Sequence, residues 1–456
     1  MIFKIKCYYI IEWMINMKKI LVTGLCTLHW GRLQYGNIGN YYIIEPLFRL
    51  LHRYFPEYTI VTTFQMTEEF AKKEKIEVVP MQLYYNWDSE NDLKNAYDGV
   101  EKAKSYVDKK TGDLTEYGQL VLQCEFVLNV SGDMWGDNAE HVGHQRFLVD
   151  CLKMRTAQIL GIKTILYAVT PGPFNKVEDK KLALQVFNNF SMVVIREKLS
   201  KENLVKWGFS TNHVVWAPCP SFLFESNMEY QSKWTRMIEQ LHQSKSKIIG
   251  FTFGGFNMPV GPYDMWPRGP EQYGVFLDVA EYIINELKAD IMIFSHTNGF
   301  ELPPQFKLIN GRDYIILNQF YNLLINRNEN YKEHVILVDE PLLPCDIKKL
   351  IGGLDMLITG RVHASVAATS QCIPTVYIEY DRNVIYSDKM YGFSSQIGME
   401  KYVSVPGEYN SLVSIIEDCY YNIDSVRKQL EKDIPIIKKQ AEDIFKDIKK
   451  ICAMER

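Results

Sequence analysis

The chain has 456 residues, of which 47% are hydrophobic, so it is long enough for two domains that each bury a core. Its formal net charge of -4 argues against a nucleic-acid-binding protein, because such proteins usually carry a basic excess. The nine cysteines are odd in number and form no C-x-x-C pair. They favour reduced thiols in a cytosolic compartment over a disulfide scaffold or a zinc site.

The N-terminal residues 1–16 do not have the pattern of a targeting segment. No apolar run in the chain reaches the ~20 residues that span a bilayer, and Glu12 interrupts the apolar stretch without a small-residue cleavage site after it. Met17, followed by two lysines and an apolar strand, resembles a natural start. We therefore expect residues 1–16 to be a dispensable extension. The alternative is a short surface anchor that would hold a cytoplasmic protein peripherally at the inner face of the membrane.

The first half of the chain alternates short apolar strands with helices. Strands are predicted over 20–22, 126–130, 164–168 and 193–195, and helices over 41–54, 147–160 and 200–207. Such alternation predicts a parallel sheet with helices on both faces.

A Pro-interrupted segment at 217–224 and a polar helix end this pattern, and a second one begins with a strand at 248–253. Further strands are predicted over 291–294, 335–338 and 356–359, with a helix over 274–287. The sequence therefore predicts an α/β protein with two doubly wound, Rossmann-like domains that face a cleft. The predicted units are an N-terminal domain over 17–225, a C-terminal domain over 246–405, and a helical region over 406–456 that crosses back onto the first domain.

Polar and glycine-rich segments follow the strands of both halves, where open α/β sheets bind their ligands. The candidate substrate-binding residues are Asn37, Gly39, Asn40, Asp133, Asp137, Asn138, Arg196, Gly254, Gly255 and His296. Taken singly, most of these residues are explained equally well as turn residues. Arg196 is explained equally well as a residue that forms a salt bridge at the start of a helix. Together they predict a shared cleft. His141 and His144 follow Asp137, but without a third clear ligand no metal site is expected.

Arg361 and His363 occupy the most informative of these turns, between a strand that ends at Thr359 and a helix of small residues. A helix N-terminus favours anions, and the arginine fork matches a carboxylate or phosphate. A histidine there adds a proton that titrates near neutral pH. The alternative is that Arg361 pairs with a nearby carboxylate and His363 merely caps a loop.

Several of these segments, taken in chain order, resemble the polysaccharide pyruvyl transferase family over about residues 18–400. The most specific part of this resemblance is Arg361-x-His363, together with the small-residue helix and Ile373-Pro374 that follow it. The matching segments are 36–40, 129–133, 170–174, 194–197 with Ser200, 218–222, 360–364 and 373–380. The chain departs from the family pattern at Asn40, in the run Ser131-Gly-Asp133, and at Cys219, where the family commonly has aspartate.

The resemblance implies a glycosyltransferase-B-type fold and transfer of a pyruvyl group from phosphoenolpyruvate to a pair of sugar hydroxyls. The product is a ketal on a cell-surface or exopolysaccharide glycan, and the acceptor is a glycan or lipid-linked oligosaccharide. Arg361 is expected to clamp the donor and His363 to act as general acid or base, with no cofactor. The N-terminal domain then forms the acceptor side and the C-terminal domain the donor side. Two alternatives remain: a nucleotide-sugar glycosyltransferase, or an inactive glycan-binding homologue.

Overall fold

A computed structural model describes residues 18–26, 29–109, 112–142, 145–226, 232–243, 246–258, 267–380, 389–405 and 407–454. The expected extension at 1–16 and the candidate metal ligand His144 lie outside these ranges.

Seven parallel strands form the first sheet, in the order β3-β2-β1-β4-β5-β6-β7. The central strand β1 pairs with β2 on one side and β4 on the other, so that Ile20 lies beside Ile60 and Phe126. Most residues of these strands are buried, as expected for a parallel sheet covered on both faces. The strands are β1 (Lys19–Thr23), β2 (Thr59–Thr62), β3 (Ile76–Val78), β4 (Cys124–Asn129), β5 (Lys163–Val169), β6 (Met192–Ile195) and β7 (Val214–Trp216).

Helices connect and cover these strands. They are α1 (Ile38–Tyr54), α2 (Glu68–Lys73), α3 (Ser89–Lys109), α4 (Glu116–Leu122), α5 (Arg146–Ile159), α6 (Val177–Phe187) and α7 (Leu199–Lys206).

The second sheet has six parallel strands in the order β12-β9-β8-β13-β14-β15, and a separate antiparallel hairpin, β10-β11, follows β9 in the chain. Its strands are β8 (Ile248–Thr252), β9 (Asp290–Ile293), β10 (Asn298–Glu301), β11 (Lys307–Asn310), β12 (Val335–Leu337), β13 (Met356–Thr359), β14 (Thr375–Ile378) and β15 (Val403–Ser404). The helices of this half are α8 (Lys233–Gln243), α9 (Gly274–Asn285), α10 (Arg312–Arg327), α11 (Pro344–Gly352), α12 (Val362–Thr369), α13 (Lys389–Ser395), α14 (Tyr409–Tyr421) and α15 (Ile423–Ala453).

Both sheets are therefore doubly wound, which confirms the predicted fold class. The strand order reverses at β1 and β4 in the first sheet and at β8 and β13 in the second. Loops that leave the carboxyl ends of neighbouring strands diverge at such reversals and open a crevice. Each sheet thus provides one crevice for a ligand site.

The long helix α15 lies against the first domain. Phe445 packs on Tyr54 and Tyr167, with ring centroids 5.7 and 5.6 Å apart. The Lys163 ammonium donates hydrogen bonds to the carbonyls of Ile451 and Cys452, which end the helix and have no partner within it. The C-terminal segment therefore joins the first domain to the second.

Among the described residues, no helix is both long and apolar enough to cross a membrane.

Candidate active site

A cavity of about 120 Å³ lies between the two domains, at the carboxyl ends of both sheets. Loops that follow β1, β4 and β6 line it from the first domain, and loops that follow β8, β9, β13 and β14 line it from the second. The lining residues are Cys26, Arg32, Asn37, Asn40, Ile43, Gly132, Asp133, Met134, Asn138, Arg196, Phe256, His296, Arg312, Arg361, Val362, His363, Tyr380 and Lys389.

The cavity wall is strongly cationic. Among its described lining residues, five carry a positive charge and one, Asp133, carries a negative charge. The cations are Arg32, Arg196, Arg312, Arg361 and Lys389. Because like charges gathered in a site out of bulk water repel one another, this arrangement favours a ligand with several negative charges.

Arg361 is held by a carboxylate directly behind it. Its Nε donates to Asp313 Oδ2 at 2.8 Å, and its Nη2 donates to Asp313 Oδ1. Asp313 is buried and Arg361 largely so, with exposed fractions of 1% and 13% for their side chains. A Cβ on Gly254 would lie 2.8 Å from Arg361 Nη2, so glycine makes room for the pair. Arg361 thus pairs with a carboxylate, as one interpretation of the sequence held, and also lines the cavity.

A second charged group crosses the cavity. The Lys389 ammonium of α13 contacts Asp133 Oδ2 of the first domain. Burial opposes ionisation of Asp133, but Lys389 and Arg196 outweigh it and hold the pKa of this carboxyl below its usual range. Arg196 Nε donates to Thr170 Oγ1 at 2.7 Å, which holds the guanidinium near enough to Asp133 to stabilise its charged form. The contact between Lys389 and Asp133 therefore links the domains through the site.

His363 is neutral in this cavity. Burial, together with the nearby charges of Arg196 and Lys389, lowers the pKa of its imidazole to about 3, although Asp133 acts in the opposite direction. The Nε2 atom of His363 lies 3.9 Å from the Sγ atom of Cys219. Cys219 is the residue in whose place the family commonly has aspartate. A neutral imidazole can accept a proton from a bound ligand.

Gly39 lets His363 approach the first domain. A Cβ at Gly39 would lie 2.3 Å from His363 Nδ1 and 2.9 Å from its Cβ. Such distances are far inside van der Waals contact, so the imidazole of one domain packs directly against the first turn of α1 in the other.

We therefore expect Gly39→Ala to displace His363 and to lower turnover at least tenfold, since displacements of about 1 Å can cost two orders of magnitude in rate. Steady-state kinetics would measure the loss. Gly274→Ala is the matched control, because it adds the same methyl group in the first turn of α9, where nothing lies within 4 Å. Equal activity of both variants would contradict the proposed importance of this contact.

Three residues of the predicted first loop lie in the first turn of α1 or cap it. The helix begins at Ile38 rather than at the expected residue 41, because Asn37 Oδ1 accepts the Gly39 amide at 3.0 Å and so caps it three residues earlier. Asn40 Nδ2 donates to the Cys26 carbonyl at 2.6 Å. Asn37 and Asn40 line the cavity, and the N-terminus of α1 faces it.

His296 brings an unpartnered ring nitrogen to the cavity wall. The residue is 2% exposed, its ring packs on Tyr42 at 5.6 Å, and its Nε2 has no hydrogen-bond partner in the described structure. Burial and the neighbouring His363 and Arg361 hold its pKa well below the usual value. A neutral imidazole nitrogen in this position can bond a ligand.

Other predicted site residues lie outside the cavity lining. Asp137 Oδ2 accepts the Asn175 amide at 2.6 Å, so it orders the loop behind the site. Gly254 and Gly255 form the turn that follows β8, in which the Gly254 amide donates to Asn257 Oδ1 at 3.0 Å. Of the two, Gly254 lies directly against the Arg361–Asp313 pair. Asn138, by contrast, lines the cavity.

Four charged residues of the site carried no signal that singled them out in the sequence. They are Arg32, Arg312, Asp313 and Lys389. Arg312 and Asp313 begin α10 after the partly polar, partly exposed strand β11, and Lys389 begins α13, so none of them follows a strongly apolar strand. The described residues contain no group of three or more histidine, cysteine, aspartate or glutamate side chains that could hold a metal ion.

Glu197, next to Arg196, is buried behind the site. Burial raises the pKa of its carboxyl to about 7, although the Ser200 amide donates to Glu197 Oε2 at 2.8 Å and the Ser200 hydroxyl also bonds the carboxyl. The folded protein therefore holds this proton at pH values where the unfolded chain has lost it.

Because the pKa of Glu197 is higher in the folded state, its contribution to stability is lost as pH rises from about 4.5 to about 7. The loss amounts to about 3 kcal/mol at most. Glu197→Gln should therefore flatten the fall in melting temperature across this window, as measured by differential scanning fluorimetry. Ser200→Ala removes one bond to the same group without removing the carboxyl and should retain the fall. A pH profile unchanged in the Gln variant would contradict the assignment.

The fold and site define a class of two-domain α/β proteins. The chain has a TM-score of 0.55 with the Anabaena Alr3699/HepE structure in complex with UDP and glucose, at 12% identity over 95% of this chain and 98% of that chain. A glycosyltransferase from Rickettsia africae ESF-5 has a TM-score of 0.53 at 13% identity. The match covers 95% of this chain and 99% of that chain. A putative UDP-N-acetylglucosamine 2-epimerase from Listeria monocytogenes has a TM-score of 0.56 at 12% identity. The match covers 94% of this chain and 95% of that chain. These likenesses identify a glycosyltransferase-B-type fold.

The family is more specific than the fold. The family model for polysaccharide pyruvyl transferase matches residues 37–382, which include nearly all of the cavity wall. The chain belongs to the polysaccharide pyruvyl transferase family. No curated protein sequence matches it significantly.

Proposed function

We propose that this protein transfers the pyruvyl group of phosphoenolpyruvate to a pair of hydroxyls on a glycan and so forms a ketal. The observation that carries the proposal is the charge of the cavity: five cationic side chains face one carboxylate in a volume of about 120 Å³. Phosphoenolpyruvate is small and carries both a phosphate and a carboxylate. Family membership supports the same reaction class.

The donor is held by cations and helix N-termini from both domains. Arg361 and Arg196 present guanidinium groups that suit bidentate bonds to a carboxylate or phosphate. The N-termini of α1 and α12 add backbone N–H groups. His296 Nε2 can bond an oxygen of the donor or acceptor.

The reaction balances without a redox partner. The methylene carbon of the enol gains a proton, and a sugar hydroxyl oxygen bonds the central carbon while losing its own proton. The bond between that carbon and the phosphate oxygen breaks, and inorganic phosphate leaves. A second sugar hydroxyl then bonds the same carbon and closes the ketal, and its proton passes to the released phosphate. We assign proton transfer to His363, which takes the hydroxyl proton when neutral and supplies a proton when charged. A lipid-linked acceptor would bring this cytoplasmic reaction to the inner face of the membrane.

Incubation with phosphoenolpyruvate and a panel of oligosaccharides tests the proposal. Release of inorganic phosphate that depends on the acceptor, with a mass increase of one pyruvyl ketal on that acceptor, is the expected result. UDP-glucose replaces phosphoenolpyruvate in a parallel reaction. Sugar transfer from UDP-glucose, with no use of phosphoenolpyruvate, would contradict the proposal and indicate a glycosyltransferase.

A further inference from the structure

A cluster of aromatic rings from both domains lies beside the cavity. We name His29, Trp30, Tyr35, Phe300 and Phe306 the aromatic rim. The first three belong to the turn that follows β1, and the last two to the hairpin β10-β11 and its connecting loop. Ring centroids of Tyr35 and Phe306 are 4.5 Å apart, and Trp30 lies 6.0 and 6.1 Å from Phe300 and Phe306. The rim thus spans the domain boundary.

The rim is continuous with the cavity wall. Arg32 lines the cavity from the same turn that carries Trp30 and Tyr35. Asn37, also in the wall, forms an antiparallel backbone bridge with Thr297, directly before β10. Both segments therefore lead from the charged site directly into the aromatic cluster.

The close contact between domains depends on a glycine. Gly31 has φ of 73°, and a Cβ there would lie 3.0 Å from the Phe300 ring. The turn thereby places its backbone against the hairpin, and its aromatic side chains surround the contact.

The rim leaves apolar ring surface open to solvent. Phe306 is 40% exposed, and His29, Trp30, Tyr35 and Phe300 are half-buried. Donor binding requires cations, not aromatic rings, so the charged site does not account for them. Partly exposed aromatic groups around a binding cavity commonly contact ligands.

The inclination of the rings favours a sugar over a nucleobase. The planes of Trp30 and Phe306 meet at 75°, those of Trp30 and Phe300 at 67°, and those of Tyr35 and Phe306 at 43°. A planar base inserts between parallel rings, whereas a pyranose chair offers an apolar C–H face for one ring and hydroxyls at its edge. Arg32 and Asn37 lie where those hydroxyls would enter the cavity.

We propose that the aromatic rim is the acceptor subsite, where the pyranose ring that receives the pyruvyl group stacks beside the donor cavity. This inference rests on the proposed function for its acceptor class. It assigns the acceptor to both domains rather than to the N-terminal domain alone.

Saturation-transfer NMR with lactose, maltose and cellobiose, in the absence of phosphoenolpyruvate, tests the subsite on the full chain. Trp30→Ala and Phe306→Ala should weaken disaccharide binding roughly two- to tenfold, the range expected for one aromatic contact. Trp30→Phe, which keeps a stacking ring, should restore most of it. Tyr421→Ala is the control, because Tyr421 is 69% exposed at the end of α14 and does not line the cavity. Phosphoenolpyruvate affinity, measured by calorimetry, should stay within about twofold in all variants.

Three results would overturn the subsite. Wild-type protein could give no saturation transfer to any disaccharide, or the two Ala variants could bind disaccharides as wild type does. If the two Ala variants lose disaccharide and phosphoenolpyruvate affinity equally, the aromatic rim only stabilises the contact between the domains. If disaccharides bind at the rim but phosphate release never occurs, the subsite stands and the proposed reaction fails.

Discussion

Replacement of Arg361 by lysine should lower kcat/KM for phosphoenolpyruvate by roughly 30- to 900-fold, the equivalent of about 2 to 4 kcal/mol of transition-state stabilisation. Arginine uses Nε and Nη2 to bond Asp313 while its guanidinium still lines the cavity. An ammonium group keeps the charge but cannot bond the carboxylate with two parallel N–H groups and also face the donor in a fixed plane. Steady-state kinetics with phosphate detection would measure the change.

Two controls separate this catalytic effect from loss of folding. Arg327→Lys makes the same change in an arginine that also contacts two carboxylate oxygens, those of Asp278 and Glu281, but does not line the cavity. It should leave kinetics unchanged. Asp313→Asn should reduce kcat/KM as well, because the guanidinium loses its charged partner. If Arg361→Lys has the kinetics of the wild type, Arg361 has no part in the mechanism. If the variant unfolds, the role of Arg361 is structural.

The predictable part of the fold was its strongly apolar strands. The predicted strand 356–359 matches β13, and the other predicted strands agree with β1, β4, β5, β6, β8, β9 and β12 to within two residues at each end. Buried parallel strands give continuous apolar runs, which explains this agreement. The strands β2, β3, β7, β14 and β15 were not predicted, since they are only two to four residues long and lie at the edge of a sheet or next to it. The hairpin β10-β11 has mostly polar or exposed residues and gave no signal.

The site was predictable where its residues directly follow a strand. Asp133, Arg196, His296 and Arg361 follow β4, β6, β9 and β13, and all four reach one cavity. Lys389 could not be identified this way, because its partner Asp133 lies 256 residues away in the chain. Pairing between distant segments is a property of the folded chain, and no local pattern contains it. For the same reason the sequence left open whether Arg361 binds a carboxylate or a ligand, and the structure shows a guanidinium that bonds Asp313 and lines the cavity.

His363→Ala should abolish turnover while phosphoenolpyruvate still binds. Under the proposed mechanism the five cationic side chains of the cavity wall hold the donor, so donor affinity should depend little on His363. Proton transfer depends on it entirely under the proposed mechanism. His363→Gln keeps a hydrogen-bonding side chain but cannot titrate, and it should also be inactive. Calorimetric binding of phosphoenolpyruvate, compared with phosphate release, separates the two functions.

The protonation of His363 provides the sharper test. Burial, together with Arg196 and Lys389, lowers its pKa to about 3, so the imidazole is neutral near pH 7 before the donor binds. A bound phosphate and carboxylate would offset those cations and raise the pKa above about 3, so phosphoenolpyruvate binding at acidic pH should be accompanied by proton uptake at His363. Calorimetry in buffers of different ionisation enthalpy would measure the uptake, which His363→Gln should reduce. If the Gln variant keeps substantial turnover, His363 only positions the substrate. The proton must then come from another residue, and His296 would be the first to replace, because its free Nε2 lines the same cavity.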